Sequence, residues 1–230
     1  AMPHGAVPPI FRVAPTVDGV VLPGRPFDPA APGPSADVPL LVGTLMHEFV
    51  SGVDNPDAYA LTEAELLQRV TEMHGREAEA ILAAYRARFP EAAPFDLLSL
   101  IATAPVRQAA ARQAALKAAQ GAAPAYLYWF TWRTPVLDGR PGAFHSCEIP
   151  FVFDNVDRYE NLTGGGPEPR ALAAQVSGAW INLARYGDPN HSGLPQWPAY
   201  TPGAPRLMRF DSVCRVEDDP DSALPQVRQG

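Results

Sequence analysis

Cysteine is nearly absent: two residues in a chain of 230 cannot form a disulfide framework, and a bridge between Cys147 and Cys214 is the most the sequence allows. Nothing in cysteine usage therefore demands an oxidising compartment. No uninterrupted apolar stretch approaches the roughly 20 residues that span a bilayer. The opening Ala1-Met2-Pro3-His4-Gly5 has no basic segment followed by an apolar run, so it has the pattern of neither a signal peptide nor a membrane anchor. The Ala ahead of Met2 reads as a chosen or processed start. Positive charge is also short: 18 Lys and Arg stand against 25 Asp and Glu, a net −7. That balance argues against nucleic acid or an anionic membrane as the main partner. The five histidines, at 4, 47, 74, 145 and 191, include no pair at metal-ligand spacing, so no metal site is expected.

What the chain does have is 47% hydrophobic residues and 27 prolines, enough for a full core broken by frequent turns. Residues 1 to 37 are rich in Pro and Gly and read as an irregular segment wrapping a surface. Residues 38 to 230 carry the strands and helices. Val38-Pro39-Leu40-Leu41-Val42 is a continuous apolar run closed by Gly43, the pattern of a strand buried on both faces. Thr62 followed by Glu65 is a capping box that opens a helix to about Met73. A second helix is expected from Arg76 to Phe89, and a third from Pro105 to Gln120, with Pro105 in its first turn and Gly121 as its cap. The bases of that third helix, Arg107, Arg112 and Lys117, recur every five residues and so spread around the cylinder, which reads as a solvated face. Tyr126 to Trp132 is an aromatic strand, Ala171 to Tyr186 an amphipathic helix ending at Gly187, and Arg206 to Val216 a final strand pair.

This order is α/β. Two convincing core strands leave two-sided apolar edges unpaired, so further strands are expected from elsewhere. Reactive groups in such sheets collect beyond the C-terminal strand ends. Glu48 follows the first strand and His145 lies in the loop after the second. An acid and then a histidine, each on a loop after its strand, are the second and third members of a Ser–acid–His triad in chain order. Taken singly, each has a bland reading as a surface or hydrogen-bonding residue.

The surrounding sequence adds to this. Val38 to Thr44 leading to Glu48, Phe144-His145-Ser146-Cys147-Glu148-Ile149-Pro150-Phe151-Val152-Phe153, Trp180-Ile181-Asn182-Leu183-Ala184-Arg185-Tyr186-Gly187-Asp188-Pro189-Asn190 and Trp197-Pro198-Ala199-Tyr200 together resemble the type-B carboxylesterases, the family of cholinesterases and para-nitrobenzyl esterases. Val17 to Pro23 resembles the loop ahead of their acid strand. The resemblance implies the C-terminal part of an α/β-hydrolase fold, a mostly parallel sheet with helices on both faces. It implies Glu48 as triad acid, His145 as base and Glu148 as a second buried carboxylate supporting the site. It also implies hydrolysis of a small-molecule carboxylic ester through an acyl-enzyme, without a cofactor. One stretch departs from the family pattern of Gly-Thr-Asn, two variable residues, Glu-Gly: here Leu45 replaces the Asn and Phe49 the trailing Gly.

The nucleophile is missing. Gly33-Pro34-Ser35-Ala36-Asp37 is the nearest approach to Gly-x-Ser-x-Gly, with no strand before it. Ser146 and Cys147 adjoin His145 too closely in sequence to serve it and read as structural. The His-Gly-Gly-Gly and Gly-Glu-Ser-Ala-Gly motifs of the family do not occur. The serine and the oxyanion donors are therefore expected in an N-terminal portion acting as partner to this one, and the chain alone should be inactive. Gly164-Gly165-Gly166 reads as a linker, Asn161-Leu162-Thr163 as a chance sequon, and Trp129, Phe130, Trp132 and Phe144 as core or pocket wall. A catalytically silent relative that uses the same fold for adhesion is the alternative from another class. An autonomous non-enzymatic domain is a third reading, disfavoured by the unpartnered strands.

Overall fold

Leu40–Leu45 forms strand β1, in parallel register with β2, Ala125–Phe130, in a computed structural model that describes residues 15–225. The strand runs on through Gly43 to Leu45 instead of closing at Val42. Gly43 faces Tyr128 across the ladder, and a Cβ there would stand 2.4 Å from the Tyr128 ring and carbonyl. Its glycine is a close-approach position inside the strand and not a stop. The described part of the Pro-rich segment holds one short 3-10 turn, Gly33–Ser35; residues before 15 lie outside the described region.

Thr62 caps α1, Glu63–His74, through the reciprocal bonds of a capping box: the Glu65 N–H donates to the Thr62 hydroxyl, and the Thr62 N–H to the Glu65 carboxylate. Such a cap stabilises a helix by about 1 kcal/mol. The next helix, α2, covers Ala78–Arg88 after a 3-10 turn at Gly75–Glu77. The long α3 spans Pro94–Ala119. Pro105 lies inside α3 and not at its start, because Pro94 already occupies the first turn. An internal proline costs a helix on the order of 3 kcal/mol, which tertiary burial here offsets: Leu97, Leu98, Leu100 and Ile101, the turns just before it, are all buried.

The remaining elements are two single turns, α4 (Ile149–Val152) and α5 (Glu160–Thr163), then α6 (Pro167–Tyr186), β3 (Arg206–Phe210) and β4 (Arg215–Asp218). Gly187, at φ +74°, ends α6 as expected. The sheet order is β1-β2-β3-β4, parallel except for the last pair. The sheet thus holds more strands than the two that stand out in the sequence. The C-terminal hairpin lies on β2, while the outer edge of β1 has no partner strand among the described residues.

Alternation sorts the side chains onto two faces. Leu40, Val42, Leu127, Trp129 and Leu207 pack under α1, α2 and α3; Leu41, Leu45, Tyr126, Phe130, Met208 and Phe210 pack under α4 and α6. Cys147 and Cys214 are both free and buried, so they form no bridge.

The bases of α3 depart from the solvated face the five-residue spacing predicts. Arg112 is exposed and stands 3.6 Å from Asp28. Lys117 is buried, its ammonium donating to the Ser35 and Ala36 carbonyls at 2.6 and 2.7 Å. Arg107 is buried against Asp221. The cylinder is enclosed on several sides, and partners far along the chain neutralise what local spacing reads as surface charge.

Candidate active site

Beyond the C-terminal ends of β1 and β2 the two chains converge again. The His47 N–H donates to the Ala143 carbonyl at 3.0 Å, and His47 and Phe144 form an isolated parallel bridge. This second meeting brings the loops that carry Glu48 and His145 side by side.

Glu48 is 7% exposed and has both carboxylate oxygens engaged. Oε1 accepts the Leu45 N–H at 2.9 Å, and Oε2 lies 2.6 Å from His145 Nδ1. A carboxylate only accepts, so His145 carries its proton on Nδ1 and leaves Nε2 a free lone pair. The imidazole is 56% exposed, accessible to a group arriving from outside. The Cys147 N–H donates to the Phe144 carbonyl at 3.0 Å, closing a turn over His145, and Ser146 takes φ +70° in that turn. Left-handed backbone at a non-glycine residue is uncommon and clusters at functional sites.

Of the three residues named from the sequence, the structure brings Glu48 and His145 into contact. Glu148 is half-buried in the adjoining turn, ahead of α4. Its Oε2 is enclosed and, among the described residues, has no hydrogen-bond partner. Burial raises its pKa above the ordinary 4.5, the nearby charge of Glu48 adds to this, and His145 opposes it. The folded state then holds more protons than the unfolded one between pH 4.5 and the raised value, so Glu148 reduces stability as pH rises through that window. Glu148→Gln should flatten the fall of melting temperature with rising pH above 4.5. Identical slopes for variant and parent in thermal melts would sink this account.

The two positions that depart from the family pattern are both occupied at the site. Leu45 is buried and supplies the backbone N–H that holds Glu48. Phe49 is exposed, with its ring 4.6 Å from the His145 ring. The other nucleophile-type residues point elsewhere. Ser35 bonds back to the Pro32 carbonyl, and burial pushes the Cys147 thiol well up, away from the reactive thiolate. Trp132 is buried against Phe151 as core. Among the described residues no group of three His, Cys, Asp or Glu side chains is placed to hold a metal ion, and no helix is long and apolar enough to cross a membrane.

Sequence reasoning missed His47. It is fully buried, with Nδ1 accepting the Ala143 N–H at 3.1 Å and Nε2 lying 3.0 Å from Asp96 Oδ1. Its position directly before the acid was the only signal.

A sequence model of the carboxylesterase family matches residues 4–224. Para-nitrobenzyl esterase of Bacillus subtilis is 28% identical over 210 residues, which cover 90% of this chain and 41% of that protein. Fumonisin B1 esterase of Sphingopyxis macrogoltabida is 29% identical, covering 82% of this chain and 35% of its own length. Among solved structures, Geobacillus stearothermophilus carboxylesterase EST55 superimposes with a TM-score of 0.71 at 34% identity, over 93% of this chain and 45% of the other. A para-nitrobenzyl esterase structure gives 0.60 at 26% identity, over 90% and 41%. The chain thus spans about two fifths of the length of the first of these curated relatives. Its mixed four-stranded sheet with helices on both faces is that part of their α/β-hydrolase fold.

Proposed function

Since this chain belongs to the carboxylesterase family, we propose that it supplies the acid and the base of a serine carboxylic-ester hydrolase whose nucleophile and oxyanion donors lie outside these 230 residues. The observation that carries the reading is the 2.6 Å contact between Glu48 and His145 Nδ1, with Nε2 left free toward solvent. His145 Nε2 takes the proton of the serine hydroxyl as it attacks the ester carbonyl. Glu48 holds the required tautomer and stabilises the imidazolium that forms. The protonated imidazole then delivers that proton to the departing alcohol. In the second half-reaction it takes a proton from the water that attacks the acyl carbonyl and gives it to the serine oxygen as that bond breaks, which releases the acid and restores both serine and histidine. No step needs a metal or an organic cofactor. Glu148 lies in the adjoining turn, where burial shifts its carboxyl toward the protonated form and so weakens its competition with Glu48 for the developing positive charge.

The test is labelling with a fluorophosphonate, alongside hydrolysis of a chromogenic carboxylic ester. The longer protein that carries this chain should label at one serine outside these residues and turn over the ester, while the 230-residue chain should do neither. Labelling at a serine within the chain would overturn the division of the triad. A longer protein that neither labels nor hydrolyses would instead favour the silent adhesion relative.

A further inference from the structure

His47 faces no solvent, and both nitrogens of its ring are hydrogen-bonded. It is fully buried and stacks on Phe95 with the ring planes 16° apart. It meets Ala143 at two points. The His47 N–H donates to the Ala143 carbonyl at 3.0 Å, and the Ala143 N–H donates to His47 Nδ1 at 3.1 Å. Since Nδ1 accepts, the ring proton is on Nε2, which donates to Asp96 Oδ1 at 3.0 Å.

Asp96 is itself held from two further sides. Arg133 Nη1 reaches both of its oxygens at 3.0 and 3.1 Å, and the Tyr59 hydroxyl donates to Oδ1 at 3.1 Å. Arg133 also donates to the Tyr59 hydroxyl and lies over its ring. On the remaining side sits Gly142 at φ +63°, where a Cβ would stand 2.5 Å from His47 Nδ1. The loop before His145 is thus fitted to the ring at Gly142 and bonded to it at Ala143.

We propose that His47 is a positioning residue for the ester-hydrolysis machinery: as a neutral imidazole anchored on α3 through Asp96, it holds the backbone at Ala143 so that His145 meets Glu48 with its proton on Nδ1. The inference rests on the roles assigned to Glu48 and His145 above. The covalent neighbour of His47 is Glu48, and His145 follows Ala143 by two residues, so a single ring sets the separation of both loops. Desolvation lowers the pKa of the imidazole against the pull of the Asp96 carboxylate, with the charge of Arg133 assisting, in the same direction as the accepting role of Nδ1. A charged ring would lose the lone pair that Ala143 needs. The arrangement matches the general need of a reactive histidine for supporting groups that are themselves locked.

The test separates positioning from mere filling of the core. The carboxamide oxygen of His47→Asn can take the place of Nδ1 and accept from Ala143, whereas His47→Gln reaches toward Asp96 and leaves the Ala143 N–H without its acceptor. Nitrogen-15 shifts of the His145 ring, read on the 230-residue chain at pH about 8, where an ordinary imidazole is neutral, report which nitrogen carries the proton. The parent and His47→Asn should hold it on Nδ1; His47→Gln should shift it toward the mixture of a free imidazole. In the longer enzyme, His47→Gln should lower kcat about 10²-fold, the scale of an ångström-sized misplacement, with KM little changed, and His47→Asn should restore most of it.

An unchanged His145 tautomer in a folded His47→Gln chain overturns the proposal. If that variant does not fold, His47→Asn decides alone: a folded His47→Asn chain in which His145 has lost its Nδ1 proton overturns it, and one that retains the proton supports it. Should the longer protein hydrolyse no ester, the catalytic reading falls while the tautomer measurement still judges the positioning.

Discussion

Glu48→Gln, made in the longer protein, should lower kcat for a carboxylic ester by about 10⁴-fold while leaving the fold intact. Its size follows from the hydrogen-bond inventory. Both oxygens of Glu48 accept, one from Leu45 N–H at 2.9 Å and the other from His145 Nδ1 at 2.6 Å. A carboxamide has one acceptor and one donor end. If its oxygen stays with Leu45, its NH2 faces His145 and forces the imidazole to accept at Nδ1, which puts the proton on Nε2, where the serine proton must go. If the amide turns over, the Leu45 N–H loses its partner in a buried position, at a cost of about 1–3 kcal/mol. Either outcome removes the compensating charge for the imidazolium. Steady-state kinetics with a circular-dichroism melt decide the matter. A loss of less than about tenfold in a folded variant would mean that Glu48 is not the acid of the site, since removal of a working triad member costs far more.

The largest effect on stability is expected at Arg107. Its Nε and Nη2 reach Asp221 Oδ2 and Oδ1 at 2.6 and 2.9 Å, and both side chains are 5% exposed. Nη1 donates to Thr103 and Nη2 also to the Leu100 carbonyl, in the turns that flank Pro105, and the guanidinium lies over the Trp129 ring. Arg107→Met strands Asp221 beside Asp219, two buried acids that have lost the guanidinium bonded to Asp221, with the charge of Arg88 still acting on Asp219. Breaking a buried pair from one side costs about 3–5 kcal/mol, which for a chain of this size is roughly 6–20 °C in melting temperature. The double replacement of Arg107 by Met and Asp221 by Leu should recover most of it, because hydrophobic substitutes for both partners are often neutral. Burial already raises the pKa of Asp219; the Asp221 N–H that it accepts works against this, while the Asp221 charge works with it. The loss in Arg107→Met should therefore shrink as pH falls and Asp219 takes up a proton. Urea unfolding at two pH values checks both points; equal stabilities of single and double variants would refute the account.

How far the sequence could be read depended on the range of each interaction. The Thr62–Glu65 cap, the end of α6 at Gly187 and the apolar runs of β1 and β2 are set by neighbours a few residues apart, and local patterns display them. Glu48 and His145 stand 97 residues apart, yet their pairing was visible because each occupies a recognisable place after a strand within a family pattern. Arg107 gave no such cue. Its partner lies 114 residues on, and spacing along one helix records only how side chains fan out, not what closes over them. Pro105 misled for a related reason: a proline usually marks a first turn, and only the buried leucines before it reveal that packing carries the helix through. His47 was missed because its meaning depends on three segments meeting, its own, the one that carries Asp96 and the one that carries Gly142 and Ala143, and the last two carry no motif.

The parallel pairing of β1 with β2 has a kinetic consequence. Their ladder aligns Leu40 with Ala125, so the three helices between must be spooled out and folded back before the first rung can close. Pairings between such distant segments are entropically slow to nucleate and late to form. Glu48 and His145 sit past the far end of that ladder, and their 2.6 Å contact depends on the same long-range closure. In a chain whose sheet has not closed, nothing in the local sequence brings the two side chains together.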